Sequence, residues 1–211
     1  MRPFVAIVAA IVLALACAAC RATDELQASV ESSSVELFNG RDLTGWRQVG
    51  DAKWTVDDGC ILGAIGGGHQ SFLVTERTFG NFTFEVDVKN ELPGNSGIQV
   101  RSHQKATGQV FGYQIEIDPS ARAWSGGLYD EGRRAWLQDL AKNPAARAAF
   151  KPGEWNHFKI ECMGSRIRSW INGVACADFV DEMDKDGFIG LQVHGGNDTR
   201  VRWRHFELVE H

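Results

Sequence analysis

The feature that most constrains this chain is a period of two that begins near residue 35 and runs almost to the end. Phe82, Phe84, Val86 and Val88 alternate with Thr83, Glu85, Asp87 and Lys89. Ile98 and Val100 alternate with Gln99 and Arg101, and Tyr113, Ile115 and Ile117 alternate with Gln114, Glu116 and Asp118. Phe158 and Ile160, then Val201 and Trp203, repeat the pattern. Successive side chains of a strand point to opposite faces, so such runs spell strands with one apolar and one polar face. Turn signals separate them: Asp57-Asp58-Gly59, Pro93-Gly94-Asn95, Met163-Gly164-Ser165 and Asn172-Gly173. Asn-Gly favours the type I′ turn whose twist matches a hairpin, so residues 156–179 are predicted to form a three-strand meander. About a dozen short strands at this spacing predict an all-β fold of two packed antiparallel sheets. Gly is abundant (23 residues) and Pro scarce (5), as tight hairpins require.

Residues 133–150, RRAWLQDLAKNPAARAAF, interrupt the alternation. Trp136, Leu137 and Leu140 are helically spaced before a break at Asn143-Pro144, which predicts a short helical insertion in a loop.

The N-terminus is of a different kind. Residues 4–20, FVAIVAAIVLALACAAC, carry no charge and follow Arg2. A positive start, an apolar run and small residues at its end predict a secretory signal over 1–19. The run closes on Ala18-Ala19-Cys20, which resembles the lipobox of bacterial lipoproteins, with Cys20 as the lipidated residue. Cys17 stands three positions earlier, where that pattern prefers an aliphatic residue. Residues 20–34 are polar and aperiodic, so a flexible tether is expected there and the folded domain over 35–211. The protein is therefore expected to be exported, either free in the periplasm or held at a membrane, such as the outer membrane, through the lipid alone. Cys60, Cys162 and Cys176 lack metal-ligand spacing and are expected to be small buried apolar residues. With 22 Lys and Arg against 27 Asp and Glu, and no basic stripe, no nucleic-acid partner is expected.

Three clusters carry chemistry-bearing side chains. Gln114, Glu116 and Asp118 share one strand face at about 6.6–7 Å intervals. They suit acid–base work or cation sharing, although alternation alone favours a solvated outer face. Asn95-Ser96-Gly97 leads into Gln99 and Arg101, the latter on the polar face, where it can clamp ligand oxygens or pair with a surface carboxylate. Gln192 and His194 alternate on a third strand, with His the side chain suited to proton transfer near neutrality. No nucleophile elbow, HExxH or phosphate loop is present.

The order of these and other short motifs adds a resemblance. Leu37-Phe38-Asn39-Gly40 and Leu43 to Trp46 come first, then Asn95-Ser96-Gly97-Ile98 with Arg101, Gly112 to Asp118 and Gly127-Leu128-Tyr129. Gly153-Glu154-Trp155-Asn156, Trp170-Ile171-Asn172-Gly173, Gly190-Leu191-Gln192 with His194, and Val201-Arg202-Trp203-Arg204 complete it. The series, over about residues 35–209, resembles the bacterial family known as domain of unknown function 1080, described as 3-keto-disaccharide hydrolase or 3-keto-glucoside lyase and hydratase. The resemblance implies a concanavalin A-like jelly-roll sandwich of the lectin and glucanase type. It implies an exported enzyme whose substrates are glycosides oxidised at C3 by a separate sugar 3-dehydrogenase.

A C3 ketone acidifies the C2 proton. A general base can remove it, the C1 substituent can then leave, and water can add. Glu116, Asp118 and His194 are the candidates for base, acid or metal ligand. Arg101, Gln114 and Gln192, with Asn95 and Tyr129 at the pocket edge, are the candidates for binding substrate. A divalent cation is compatible with such a donor set, but spacing does not demand one. The family commonly has Asp-His-Gly after Leu-Gln, where this chain has Val193. Two other readings compete: a non-catalytic sugar-binding module using loop residues Trp124 and Trp136 as platforms, and a laminarinase-type hydrolase. The latter uses Glu-x-Asp-x-Glu on one strand, and here Gln114 replaces the first carboxylate, which removes a nucleophile.

Overall fold

The computed structural model describes residues 33–196 and 198–211. The expected signal over 1–19, Cys20 and nearly all of the expected tether lie outside the described residues. The last two tether residues do not behave as tether: Ser33 and Ser34 open β1 (Ser33–Val35) and pair with Glu210 and Val209.

Among the described residues, fifteen strands form two antiparallel sheets. One sheet runs, from edge to edge, β13 (Val174–Val180), β12 (Arg166–Ile171), β11 (Asn156–Met163), β6 (Phe82–Asn90), β15 (Arg200–Glu210), β4 (Cys60–Ala64) and β3 (Lys53–Asp57), with β1 also paired to β15. The other runs β10 (Ala135–Gln138), β9 (Leu128–Glu131), β8 (Val110–Ile117), β7 (Ser96–Gln104), β14 (Phe188–Val193), β5 (Ser71–Thr75) and β2 (Trp46–Val49). The architecture is the expected jelly-roll-like sandwich.

The meander β11–β12–β13 forms as expected, and Asn172 (φ 52°) and Gly173 (φ 80°) occupy the left-handed conformations that a type I′ turn needs. Strand β12 lies between Cys162 and Cys176, and all three described cysteines are buried free thiols.

The core lies between the sheets. Phe82, Phe84, Val86 and Val88 of β6 meet Ile98, Ile115, Ile117, Leu191 and Val193 from the other sheet in one apolar cluster. Along β6 burial alternates residue by residue, as its sequence predicts. In β7, β8 and β14 it does not: nearly every residue is buried, on both faces. The reading of Gln114, Glu116 and Asp118 as a solvated face is therefore overturned. Their face is roofed by neighbouring loops and side chains, as in a strand that lines a hollow.

The segment 133–150 also differs from expectation. Its helical part is a single turn, α1 (Pro144–Arg147), capped by Asn143 through Oδ1 to the Ala146 amide. Trp136 and Leu137 belong to edge strand β10, where Trp136 pairs with Tyr129. Trp136 is thus a strand residue rather than a loop platform. Pairing with β9 supplies more backbone hydrogen bonds than an isolated turn of helix, and short helices are marginal on their own.

Candidate active site

Directly paired residues of antiparallel strands share a face, so register shows what the seven-stranded sheet turns away from the core. Trp136, Tyr129, Gln114, Gln99 and Gly190 form one such row across five strands. Glu116 pairs with Gly97 one step along β8. The face hollows into a cavity of about 490 Å³ lined by Gln70, Asn95, Gln114, Glu116, Asp118, Arg122, Tyr129, Glu131, Trp136 and His194. The acidic pair and His194, far apart in sequence, therefore meet in one cavity.

Glu116 is the centre of it, at only 5 % exposure. Asn95 Nδ2 donates to its Oε1 at 2.7 Å, and Gln114 Nε2 donates to its Oε2 at 3.0 Å. Arg122 approaches Oε1 at 3.3 Å. Burial pushes the Glu116 carboxyl above the ordinary glutamate range, and these three donors offset that only in part. Asp118 goes the other way. Burial alone would raise it, but hydrogen bonds from Ser120 and Arg122 outweigh burial and hold it below the ordinary range. Two carboxylates, one near the end of β8 and one just past it, are thus driven apart in acidity, the pattern that separates acid–base roles.

The amides that serve Glu116 are themselves oriented. Ser102 Oγ donates to Gln99 Oε1 at 2.7 Å, Gln99 Nε2 donates to Gln114 Oε1 at 2.5 Å, and Gln114 Nε2 completes the line to Glu116. Gly97 makes room for it: a Cβ there would lie 2.7 Å from both Gln114 Cγ and Nε2. The Asn-Ser-Gly segment is therefore more than a turn. Its Asn binds the carboxylate, its Ser Oγ donates to Gln192 O, and its Gly lets Gln114 lie flat.

His194 follows the end of β14 and is exposed. Its Nδ1 lies 2.7 Å from Gly195 O. A carbonyl only accepts, so Nδ1 carries a proton and Nε2 is the nitrogen left for the cavity chemistry. Val193, where the family commonly has Asp, is fully buried in the core on the opposite face of β14. Its departure from the pattern does not enter the cavity.

Two candidates are placed differently from expectation. Arg101 does not reach the cavity. The β7–β8 register shifts between Val100 and His103, and Arg101 adopts φ 46° within that bulge. Fully buried, it donates to Gly80 O (2.8 Å), Gly164 O (2.6 Å) and Asn81 Oδ1 (3.1 Å), fastening β7 to the other sheet. It is a structural strap. Gln192 keeps the expected face, paired with Phe72, but is fully buried, lines no part of the cavity, and has no partner for its amide atoms among the described residues.

Sequence reading missed Arg122, Glu131 and Gln70. Arg122 donates Nε to Asp118 Oδ2 at 2.7 Å and lies over the rings of Trp124 and Trp136, at 5.0 and 5.1 Å from their centroids. It is held by charge below and π-faces beside it. Burial raises Glu131, which accepts from Gln70 and feels His194. Nothing in the local sequence marks these residues, because they come from loops and a short strand without a motif.

The Asp118 and Glu116 oxygens accept from Arg122, Ser120, Asn95 and Gln114, and no group of three or more His, Cys, Asp or Glu placed for a metal occurs among the described residues.

Comparison with known proteins adds to this geometry. The sequence profile of the family described as 3-keto-alpha-glucoside-1,2-lyase-like domain matches residues 33–209. A 3-keto-disaccharide hydrolase of Bacteroides thetaiotaomicron is 33% identical, over 82% of this chain and 78% of that protein. A solved structure from Parabacteroides distasonis, described as a candidate glycosyl hydrolase, superposes with TM-score 0.60 at 22% identity, covering 84% of this chain and 94% of that one. A Bacillus subtilis protein of galectin-like fold gives TM-score 0.60 at 16% identity over 78% and 89%. The two structures speak for the fold alone.

Proposed function

This chain belongs to the 3-keto-alpha-glucoside-1,2-lyase-like family, and on that premise we propose that it is a carbohydrate-active enzyme that cleaves or hydrates 3-keto-glycosides by elimination at C1. The observation that carries the reading is Glu116: a buried carboxylate, made more basic by its surroundings, in a cavity it shares with an arginine and a histidine. A base of raised pKa is matched to removing a proton from carbon activated by a neighbouring ketone.

In this reading Glu116 takes the C2 proton, and the electron pair forms the C2–C3 enolate, whose oxygen faces the Arg122 charge. The pair then moves to form the C1–C2 double bond as the C1–oxygen bond breaks. His194, entering as the imidazolium, hands its Nε2 proton to the departing oxygen. In hydration the same nitrogen takes a proton from the water that adds to C1, while Glu116, its proton exchanged with solvent in the interval, protonates C2. Each group ends as it began, and the sum is hydrolysis. Asp118 keeps Arg122 in place, and Tyr129 and Trp136 wall the sugar. The laminarinase-type alternative is disfavoured because Gln114, where a nucleophile would stand, is an amide whose NH₂ is committed to Glu116.

The substrate must come from an enzyme that oxidises a glycoside hydroxyl at C3, so a sugar 3-dehydrogenase is the implied pathway partner. The apolar run ending at Cys20 supports export with a lipid anchor. Cys20→Ala should then move the protein from the membrane to the soluble fraction, and an unchanged distribution would remove the anchor.

The functional test is incubation with a 3-keto-glucoside and with its parent glucoside in deuterated buffer. Cleavage of the keto sugar only, with deuterium entering C2, supports the reading. Turnover of the parent, or binding without turnover, refutes it.

A further inference from the structure

The outer face of the eight-stranded sheet, on the opposite side of the sandwich from the Glu116 cavity, carries a hollow of about 570 Å³ bordered by Asp57, Cys60, Lys89, Glu91, Trp155 and Arg204. It is built around a like-charge pair. Antiparallel register sets Lys89 of β6 directly opposite Arg202 of β15, on the face that alternation turns away from the core. Facing cations on paired strands cost stability unless each finds a carboxylate. Arg202 finds two: its Nε donates to Glu91 Oε1 at 2.5 Å, and a terminal nitrogen donates to Asp57 Oδ2 at 2.6 Å. Glu91 is further spent on Arg200, whose Nε donates to Oε2 at 2.5 Å. Lys89 finds none. It is half-buried and makes no hydrogen bond or ion pair among the described residues.

Arg204 is a second cation with open donors. Its Nε lies 3.4 Å from Asp87 Oδ2 without forming a hydrogen bond. The Asp87 oxygens already face His205 Nδ1 at 2.8 Å and His157 Nδ1 at 3.1 Å. The guanidinium rests instead over the Trp155 ring, 3.9 Å from its centroid, which holds the fork in place and leaves its terminal nitrogens free to donate. Arg204 pairs with Asp87 and Lys89 with Arg202, so Lys89 and Arg204 are diagonal neighbours, about 7–8 Å apart in such a ladder. Side chains of that length can converge on one oxyanion. The carboxylate of the hollow that has no cation of its own is Asp58, at the exposed turn between β3 and β4. We propose that this hollow binds the carboxylate or phosphate group of an organic ligand, held between Lys89 and Arg204 with Trp155 as apolar wall. A bound oxyanion gives Lys89 the counter-charge that the fold withholds and relieves its repulsion from Arg202. The site is separate from the Glu116 cavity and does not depend on the reaction proposed there.

The test is titration of the whole chain with inorganic phosphate and, separately, with acetate, in about 0.15 M sodium chloride, which screens loose surface attraction. The Trp155 indole N–H and the His205 ring signals in NMR report on the hollow, since both residues line it. At least one of the two anions should shift both signals, with half-saturation at about 1–10 mM. The tighter of the two identifies the group as phosphate or carboxylate. Lys89→Met should weaken that binding about ten-fold or more, and Arg204→Gln should weaken it as well. The urea midpoint of Lys89→Met should hold or rise, because the like-charge pair is gone. Asp58→Asn should tighten binding by about three-fold, as a nearby negative charge is removed. No shift with either anion up to about 50 mM, a Lys89→Met protein that binds like wild type, or weaker binding in Asp58→Asn would each overturn the site. A lowered urea midpoint in Lys89→Met would show that the fold already supplies its counter-charge, and would overturn it too. None of these readouts involves turnover, so failure of the proposed reaction leaves this site standing, and failure of the site leaves the reaction untouched.

Discussion

Replacing Gly97 by alanine tests the whole arrangement around Glu116 with one methyl group. Gly97 is a buried strand residue whose backbone any residue can adopt, so alanine brings no conformational strain of its own. The methyl would stand 2.7 Å from Gln114 Cγ and Nε2, well inside contact. Gln114 must therefore move, and two hydrogen bonds go with it: the acceptance from Gln99 and the donation to Glu116. The bond to the buried carboxylate is charge-assisted and worth about 1.5–3 kcal/mol, and the amide–amide bond about 1 kcal/mol. Stability should fall by roughly 2–4 kcal/mol if neither is replaced. Activity on a 3-keto-glycoside should fall on the order of 100-fold, the usual cost of a catalytic group displaced by about 1 Å.

Urea unfolding and kcat/KM measure the two effects, and a double-mutant cycle isolates the cause. In Gln114→Ala the side chain that clashes is absent, so adding Gly97→Ala should cost little more, within about 0.5 kcal/mol. Strict additivity of the two substitutions, or a Gly97→Ala protein with wild-type stability and rate, would refute the claim that glycine is there to admit the Gln114 amide.

The same geometry sets three more expected outcomes. The native chain holds the Glu116 proton more tightly than the unfolded chain does. Its contribution to stability is therefore most favourable below the ordinary glutamate pKa and declines as pH rises towards the raised native value. Asp118 contributes with the opposite sign, losing stabilisation as pH falls through its lowered native value. Urea midpoints across pH should lose the first trend in Glu116→Gln, and that variant should lose at least about 100-fold in turnover. An acid limb of kcat/KM at the ordinary glutamate position would contradict the raised Glu116. Arg101→Met should cost about 3 kcal/mol or more, because three charge-assisted hydrogen bonds that tie β7 to the loops of the other sheet are lost, while KM stays unchanged. A raised KM at native stability would return Arg101 to the substrate. Burial pushes the Cys162 thiol to about 12 and the Cys176 thiol to about 11. A thiol reagent at neutral pH should therefore leave both unmodified until the protein is unfolded, and rapid labelling of the native protein would show that the strands around them open.

Alternation and turn residues are local, and what they dictate was legible in the chain: the strands, the Asn172-Gly173 hairpin and the two-sheet class. The same is true of the polar set Gln114, Glu116, Asp118 and His194 as candidates, together with the motif order that marks the family. Only the tertiary structure decided which polar face is covered. A strand that alternates reads the same whether water or a cavity wall lies over its outer side, and the roof over Glu116 comes from Arg122, Tyr129, Trp136 and Glu131, which no period connects to it. It also decided where Arg101 points, because one bulged residue reverses the face of the strand beyond it and leaves no trace in a two-residue period. The short helical spacing of Trp136 and Leu137 lost to pairing with β9 for a related reason: a few residues carry too little intrinsic preference to resist a neighbouring strand's hydrogen bonds.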